Sequence, residues 1–139
     1  MISSSENIFH FDPVITDDTA PFWKGCKEHR LLYQKCKKCG SIHMPAAYLC
    51  PVCLEADQEW EESCGKGTVY SYVIFRKAFH PFLREAIPYI VAEVDLKEGF
   101  RLLTNILCDP KEVFCGMEVQ VSFLDRQSGA TIPCFLPLN

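Results

Sequence analysis

The sequence predicts a mainly β protein with a short N-terminal helix, a four-cysteine metal ribbon and a five-stranded barrel. Three observations lead to this fold class. Two Cys-x-x-Cys pairs lie in the first half of the chain, with residues 40–49 between them. After the second pair the chain becomes rich in β-branched and aromatic residues, and turn residues divide it into strand-length runs. The length of 139 residues suits one domain or two very small ones.

The first predicted unit, residues 1–30, is an N-terminal arm followed by a helix. Residues 1–16 show no secondary-structure period, yet they contain enough apolar side chains to predict docking on this chain or on a partner. These side chains are Ile8, Phe9, Phe11, Val14 and Ile15. Residues 17–19 offer N-cap chemistry, and residues 22–29 then predict a short amphipathic helix. Its predicted apolar face carries Phe22, Trp23 and Cys26.

The second predicted unit, residues 31–64, is a ribbon built around the two cysteine pairs. Two residues between paired cysteines allow both thiolates to face one metal ion, and residues 40–49 can form a hairpin that brings the pairs together. Four thiolates at about 2.3 Å complete a tetrahedral Zn²⁺ site and leave no position for water or substrate. We therefore predict structural Zn²⁺, because so short a unit cannot build a sufficient core of its own. The predicted ligands are Cys36, Cys39, Cys50 and Cys53.

Other interpretations of the ribbon are weaker. Two redox dithiols would each need a strand-to-helix setting, which neither pair has. His43 lies between the pairs and would be a ligand only if one of the four cysteines were not. Three lysines in and next to the first pair, Lys35, Lys37 and Lys38, could contact a phosphate or nucleic acid, but a solvated turn that offsets thiolate charge is the simpler interpretation.

The third predicted unit, residues 65–139, is a barrel of five strands. The predicted strands are residues 67–76, 88–96, 100–107, 117–124 and 131–136. Before the fourth strand, Asp109 can cap a helix, Pro110 suits its first position and Gly116 can end it, which predicts one or two helical turns. Five strands with a short helix in this place are typical of the OB-fold.

Composition indicates the setting in which the chain works. Hydrophobic residues are 48% and charged residues 23% of the chain, as in an ordinary globular protein. No apolar run approaches the roughly 18 residues of a membrane span, so no membrane partner is predicted. The nine cysteines leave an odd number beside a thiolate metal site, which predicts a reducing cytoplasm. The sequence contains no Walker loop, dinucleotide fingerprint, nucleophile elbow or zinc-protease motif.

Local motifs along the chain resemble those of a family of small bacterial and archaeal proteins. In that family a rubredoxin-like zinc ribbon precedes an OB-fold, and its members are labelled acyl-CoA-associated and were long called a domain of unknown function. The matching motifs are Cys36-x-x-Cys39-Gly40, Pro45, Cys50-Pro51-x-Cys53, Gly65-x-Gly67-Thr68-Val69-Tyr70-Ser71-Tyr72, Pro88-Tyr89, Val94-Asp95-Leu96, Gly99, Asp109-Pro110 and Gly116-Met117-x-Val119. The resemblance covers residues 17–136. It departs after Pro45, where Ala46 and Ala47 stand in place of a basic residue that is frequent in the family.

The resemblance implies a non-catalytic accessory subunit. Family members look like partners of thiolase-type enzymes, and of related aldolases or acyltransferases, that act on acyl-CoA. They complete the assembly or the CoA channel and supply no nucleophile. We therefore expect a hetero-oligomer with a thiolase-like subunit, in which Zn²⁺ is structural and CoA or acyl-CoA is a ligand of the complex.

The loop between the first two barrel strands is the candidate CoA-ester contact, because the equivalent loop of an OB-fold is a common ligand position. Basic side chains suit the CoA phosphates, and aromatic side chains suit adenine or an acyl chain. The candidate residues are Arg76, Lys77, Phe79, His80, Phe82 and Arg84. Two other interpretations are a solvated loop with Phe79 and Phe82 packed on the barrel, and a protein interface anchored by these rings.

Two functions of other classes compete with the accessory subunit. Zinc ribbons and OB-folds often bind nucleic acid, although a net charge of -4 and the lack of a basic stripe count against that here. A rubredoxin-like electron carrier would hold iron between the same four thiolates. Visible colour of the purified protein would distinguish that carrier from a zinc protein.

Overall fold

The computed structural model describes residues 12–138, and the structural statements below concern those residues. They form one α-helix, α1 (Ala20–Lys27), eight β-strands and one 3₁₀ turn (Pro81–Leu83). The strands are β1 (Leu32–Cys36), β2 (Ile42–His43), β3 (Gln58–Glu62), β4 (Lys66–Phe75), β5 (Tyr89–Leu96), β6 (Arg101–Ile106), β7 (Glu118–Asp125) and β8 (Thr131–Pro137). Three apolar residues of the predicted arm, Ile8, Phe9 and Phe11, lie outside the described residues, as does the side chain of Phe82.

Helix α1 begins at Ala20, two residues before the predicted residues 22–29, and a hydrogen-bonded turn over residues 16–19 precedes it. The amide of Ala20 donates to the carbonyl of Thr16 at 2.8 Å, and the amide of Thr16 donates to the Thr19 hydroxyl at 3.0 Å. Pro21 then occupies an early helical position, where its missing N–H costs nothing. The local signals therefore predicted the helix correctly but placed its start too late.

The predicted apolar face of α1 packs against the rest of the molecule. Phe22 and Cys26 are buried, and Trp23 is half-buried with its ring centroid 5.0 Å from that of Phe22. Burial raises the pKa of the Cys26 thiol to about 12, as expected for a small core residue. A Cβ on Gly25 would lie 2.8 Å from the side chain of Leu32, so only glycine lets α1 approach β1 this closely.

The ribbon is a three-stranded antiparallel sheet in the order β2-β1-β3. Strand β1 is central and pairs with β3 along its whole length, from Leu32 opposite Glu62 to Cys36 opposite Gln58. Strand β2 is a short edge in which His43 lies opposite Gln34. This arrangement places the first cysteine pair at the end of β1 and the second pair in the connection between β2 and β3.

Strands β4 to β8 form a closed barrel in the order β4-β5-β6-β8-β7. A parallel contact between Ile106 of β6 and Phe135 of β8 closes it, while the other neighbours are antiparallel. Burial alternates along β5, where Ile90, Ala92 and Val94 face the core as the period-two pattern predicts. The five predicted strands are therefore all present, and the barrel is an OB-fold.

The predicted helical turns at residues 109–116 are wrong. The structure has hydrogen-bonded turns there and no helix: the amide of Glu112 donates to the carbonyl of Asp109 at 2.8 Å. The Asp109 carboxylate accepts the amide of Lys111 at 2.9 Å, and Gly116 adopts a left-handed φ of 91°. The capping signals were real, but these local bonds satisfy the backbone without a helix, and the segment is anchored by the buried side chain of Val113.

Helix, ribbon and barrel share one hydrophobic core. It contains Phe22 from α1, Tyr33 from β1 and Phe100 directly before β6, and the last two rings stack with centroids 4.9 Å apart. The Glu98 carboxylate reinforces this junction, because it accepts the Ser63 hydroxyl at 2.6 Å and the Cys64 amide at 2.8 Å. The ribbon is therefore fixed to the barrel by both packing and hydrogen bonds.

Candidate functional site

The fold brings the four predicted ligand cysteines together at the end of the ribbon. Their sulfur atoms all lie within 4.8 Å of one another. The sulfur of Cys36 is 3.5 Å from that of Cys53, and the sulfur of Cys39 is 3.6 Å from that of Cys50. A tetrahedral ion with bonds of about 2.3 Å needs sulfur–sulfur distances of about 3.8 Å, so the arrangement fits Zn²⁺.

The two cysteine pairs adopt the same local backbone, which we call the first knuckle (residues 36–41) and the second knuckle (residues 50–55). In the first knuckle the amide of Gly40 donates to the carbonyl of Cys36 at 3.0 Å, and in the second the amide of Leu54 donates to the carbonyl of Cys50 at 2.9 Å. Gly40 and Leu54 both have left-handed backbones, with φ of 78° and 65°. Each knuckle therefore presents its two sulfurs in the same way, and the two knuckles would contribute equivalent pairs of ligands to a bound ion.

Hydrogen bonds to the sulfurs of Cys36 and Cys50 favour the ionised form of these two thiols. The Ser41 hydroxyl lies 3.2 Å from the sulfur of Cys50, and this contact is the largest cause that lowers the pKa of the Cys50 thiol to about 5. The backbone amide of Cys39 donates to the sulfur of Cys36 at 3.4 Å and lowers the pKa of that thiol. Sequence reasoning missed Ser41, and its position two residues after Cys39 was the only available signal.

His43 lies outside the cluster of four cysteines and instead contacts the side chain of Gln34. Its Nε2 lies 2.9 Å from Oε1 of the buried Gln34, and the same oxygen accepts the amide of Ala47 at 2.9 Å. These bonds tie the connection between the knuckles to β1. In the described residues the metal-ligating group consists of the four cysteines alone, so the thiolate site is closed and offers no position for a substrate.

The lysines of the first knuckle are engaged within the protein. Lys37 lies 3.4 Å from the carboxylate of Asp57, and Lys38 lies 3.9 Å from that of Glu55. Such exposed ion pairs contribute little stability. They do, however, neutralise the lysine charges that a nucleic-acid phosphate would otherwise contact. The simpler interpretation of the knuckle lysines is therefore the better supported one.

The candidate CoA-ester loop lies between β4 and β5. Phe79 is 70% exposed and contacts Phe75 edge-on at 6.0 Å between ring centroids, so it is not packed into the barrel. The ammonium of Lys77 lies 5.4 Å from the centroid of the Phe79 ring. The structure thus brings one predicted cation and one predicted ring together, while Arg76 and Arg84 lie exposed elsewhere in the same loop.

The other predicted CoA-contact residue whose side chain is described, His80, is less exposed than Phe79 and Lys77. His80 is half-buried and makes an interaction within the chain. Phe75 also stacks on Tyr89 with 5.1 Å between centroids, which extends the aromatic row beneath Phe79. A helix of the length and apolarity required to cross a bilayer does not occur in residues 12–138.

Two protein-family models match the chain in succession. The rubredoxin-like zinc ribbon domain of ChsH2 matches residues 23–59, and the C-terminal OB-fold domain of ChsH2 matches residues 60–124. The chain belongs to the ChsH2 family. This membership confirms the zinc ribbon, the OB-fold and the resemblance that the sequence motifs indicated.

Relatives of this chain are named as scaffold proteins, as a hydratase subunit and as a thiolase subunit. A DUF35 domain-containing scaffold protein of Methanocaldococcus jannaschii is 37% identical over 105 residues, which are 73% of this chain and 73% of that protein. The probable enoyl-CoA hydratase alpha subunit of Thermomonospora curvata is 36% identical over 126 residues, which are 90% of this chain but 39% of the relative. The benzoylsuccinyl-CoA thiolase subunit BbsA of Thauera aromatica is 28% identical over 106 residues, which are 76% and 66% of the two proteins.

A solved structure extends the comparison to three dimensions. The chain described as Ltp2-ChsH2(DUF35) aldolase matches with a TM-score of 0.81 and 36% identity, over 90% of this chain and 98% of that chain. By contrast, this chain spans less than half of the hydratase subunit of Thermomonospora curvata. The similarity to the aldolase-associated chain therefore extends over nearly its full length, whereas most of the hydratase subunit has no counterpart here.

Proposed function

We propose that this chain is a non-catalytic, zinc-containing scaffold subunit of a thiolase- or aldolase-type complex that processes acyl-CoA. The observation that carries the proposal is the near full-length match to a chain described with an aldolase assembly, in combination with a closed thiolate site. A metal with four protein ligands cannot polarise a substrate or generate a nucleophilic water. The chemistry then belongs to the partner subunit, and this chain supports its assembly.

Zn²⁺ would be held by the four cysteines and would supply structure alone. The sulfurs have the spacing that the ion requires, and the Cys39 amide and the Ser41 hydroxyl stabilise the thiolate forms of Cys36 and Cys50. The hydratase names of some relatives do not argue for activity here, because this chain matches 39% of the Thermomonospora curvata subunit. The cytoplasmic location indicated by cysteine usage remains a prediction.

The assembly is tested by co-expression with a thiolase- or aldolase-type subunit from the same organism. We expect the two chains to co-elute in size-exclusion chromatography as a stable complex with about one zinc per scaffold chain. A scaffold chain that elutes separately at micromolar concentration, although both proteins are folded and zinc is bound, contradicts the proposal.

We further propose that the loop between β4 and β5 contributes to CoA-ester binding in the complex. Its cations Arg76, Lys77 and Arg84 are exposed, and Lys77 lies beside the exposed ring of Phe79. Cations beside an aromatic face suit a ligand that joins phosphates to adenine. The loop would hold or steer the phosphates at the entrance to the partner's site.

Charge reversal tests the loop in the reconstituted complex. A charge-assisted phosphate contact contributes on the order of 1.5–3 kcal/mol, so Arg76→Glu, Lys77→Glu or Arg84→Glu should raise KM for the CoA ester about tenfold or more. Lys24→Glu on the exposed side of α1 is the matched control and should leave KM unchanged. If KM stays constant in all three loop variants while assembly is intact, the loop is a solvated connection.

A further inference from the structure

The second knuckle exposes a cluster of large apolar side chains that the fold does not use. We call it the second-knuckle apolar surface, and it consists of Tyr48 (65% exposed), Leu49 (50%), Val52 (72%) and Leu54 (71%). The bonds from the Leu54 amide to the Cys50 carbonyl and from the Cys50 amide to the Glu55 carbonyl fold this segment into one compact loop. The four residues lie within seven consecutive positions of the chain, and a group of exposed apolar residues so close in sequence is typical of an interaction site.

The first knuckle is an internal comparison for these residues. Its backbone follows the same course, so Lys38 and Gly40 occupy the places that Val52 and Leu54 occupy in the second knuckle. Metal binding therefore works with a lysine and a glycine at these places. The valine and leucine of the second knuckle need an explanation other than zinc coordination.

Leu54 is the most informative of the four residues. Its φ of 65° lies in the left-handed region, which is unfavourable for a residue with a Cβ and free of penalty for glycine. The side chain is 71% exposed, so core packing does not compensate for that conformation. A strained backbone that carries an exposed apolar side chain indicates a role outside the isolated chain.

The charges around the surface indicate what kind of partner it fits. The nearest acidic residues, Glu55 and Asp57, are paired with Lys38 and Lys37 of the first knuckle. The rim is therefore neutralised within the chain, which gives no attraction to an anionic lipid surface or a nucleic acid. The complementary surface is an uncharged apolar patch on a folded protein.

We propose that the second-knuckle apolar surface is the docking surface for the thiolase- or aldolase-type subunit, an inference that rests on the proposed function. Val52 and Leu54 would insert as apolar anchors, with Tyr48 and Leu49 beside them. Binding energy in protein interfaces concentrates in a few desolvated anchors, so removal of two should weaken association strongly. The zinc ion then has a second effect, because it fixes the loop that presents these anchors.

The test replaces the two anchors by the residues of the first knuckle, in the double variant Val52→Lys plus Leu54→Gly. The backbone tolerates these residues in the equivalent places, so the variant should keep its zinc and its fold. We expect Kd for the thiolase- or aldolase-type subunit that co-elutes with the wild-type chain, measured by titration calorimetry, to rise about tenfold or more. Lys111→Ala, at an exposed lysine outside the ribbon, is the control and should leave Kd unchanged.

The possible outcomes distinguish a failure of the docking-surface proposal from a failure of the proposed function. If the wild-type chain does not bind the subunit, the proposed function fails and this inference falls with it. If the wild-type chain and the double variant bind equally well, the docking surface alone is overturned. Should the double variant lose zinc, Tyr48→Ser plus Val52→Ser leaves Leu54 and the knuckle backbone intact, and equal binding by that variant is equally decisive.

Two other occupants are excluded by measurements on the chain alone. Sedimentation velocity of the wild-type chain should show a monomer, and a dimer that the double variant abolishes would assign the surface to a second copy. Phosphatidylcholine vesicles should not bind the chain in a flotation assay. Vesicle binding that the double variant loses would overturn a protein partner.

Discussion

At the scale of single residues, the ribbon depends on atoms that the cysteine spacing alone does not reveal. Ser41 contacts the sulfur of Cys50, and Gln34 holds both His43 and the connection between the knuckles. The spacing predicted which sulfurs meet, because two residues between cysteines fix a knuckle geometry. It did not predict these supporting contacts, since many polar side chains near a knuckle could have made them.

The metal itself gives the first prediction. Cys50→Ser should lose zinc and the ordered ribbon, because structural zinc contributes on the order of 10–16 kcal/mol to the folding of comparable small units. Metal analysis and near-ultraviolet circular dichroism measure this, with Cys115→Ser, an exposed cysteine outside the ribbon, as the unaffected control. Stoichiometric iron in the wild-type protein, or a native ribbon without metal, would show that the site is not structural zinc.

Glu98 gives a prediction with a defined pH dependence. Burial alone would raise its pKa, but hydrogen bonds from Ser63 and the Cys64 amide prevail and lower the pKa below the ordinary value of 4.5. A carboxylate with a lowered folded pKa stabilises the protein above its unfolded pKa, and that stabilisation is lost as pH falls through the folded value. Glu98→Gln should therefore cost about 1–2 kcal/mol at pH 7 and progressively less below pH 4.5.

Chemical denaturation at several pH values measures the effect of Glu98→Gln, with Glu118→Gln on the exposed side of β7 as control. A cost that does not change between about pH 7 and about pH 3, the range that spans the titration, would show that charge at Glu98 is irrelevant. This contact was beyond sequence reasoning, because Glu98 and Ser63 are distant in sequence and meet only after ribbon and barrel pack.

At the scale of elements, the two knuckles provide a matched pair of substitutions. A Cβ added at Gly40 would meet open space, so Gly40→Leu should cost only the penalty of a left-handed backbone, about 1–2 kcal/mol. Leu54→Gly removes the same penalty but makes the unfolded chain more flexible, and the two effects on the free energy of unfolding oppose each other. The variant should therefore keep its zinc and change the free energy of unfolding by no more than about 1 kcal/mol. Thermal unfolding of both variants checks this asymmetry, and equal losses in the two would show that the knuckles are not equivalent.

The strands were predictable because their pattern repeats, whereas the short connections were not. In β5 every second residue is buried, and that alternation is visible in the sequence. At residues 109–116 a capping residue, a proline and a glycine occur in the order of a helix, yet the Asp109 side chain and Gly116 close separate turns. Short segments are decided by a few contacts, and the buried Val113 fixes this one in a way that periodicity does not show.

At the scale of the whole molecule, the ribbon acts as an extension of the barrel. The shared core contains residues from α1, from β1 and from the barrel, so the sulfur site is held at a fixed position relative to the loop between β4 and β5. A rigid chain with a closed metal site, a neutral apolar knuckle and an exposed cationic loop has the properties of a scaffold. The second-knuckle apolar surface was not predicted from the sequence. Apolar residues at these positions could equally have packed in the core of the ribbon, and only the structure shows that they are exposed.

We propose that this chain supports a catalytic subunit and does not itself catalyse a reaction. The most direct measurement compares acyl-CoA turnover by the purified zinc-bound chain alone, by the thiolase- or aldolase-type subunit alone, and by the reconstituted complex. We predict no turnover from this chain alone and a higher kcat/KM for the complex than for the partner by itself. Robust turnover by this chain without a partner would contradict the account.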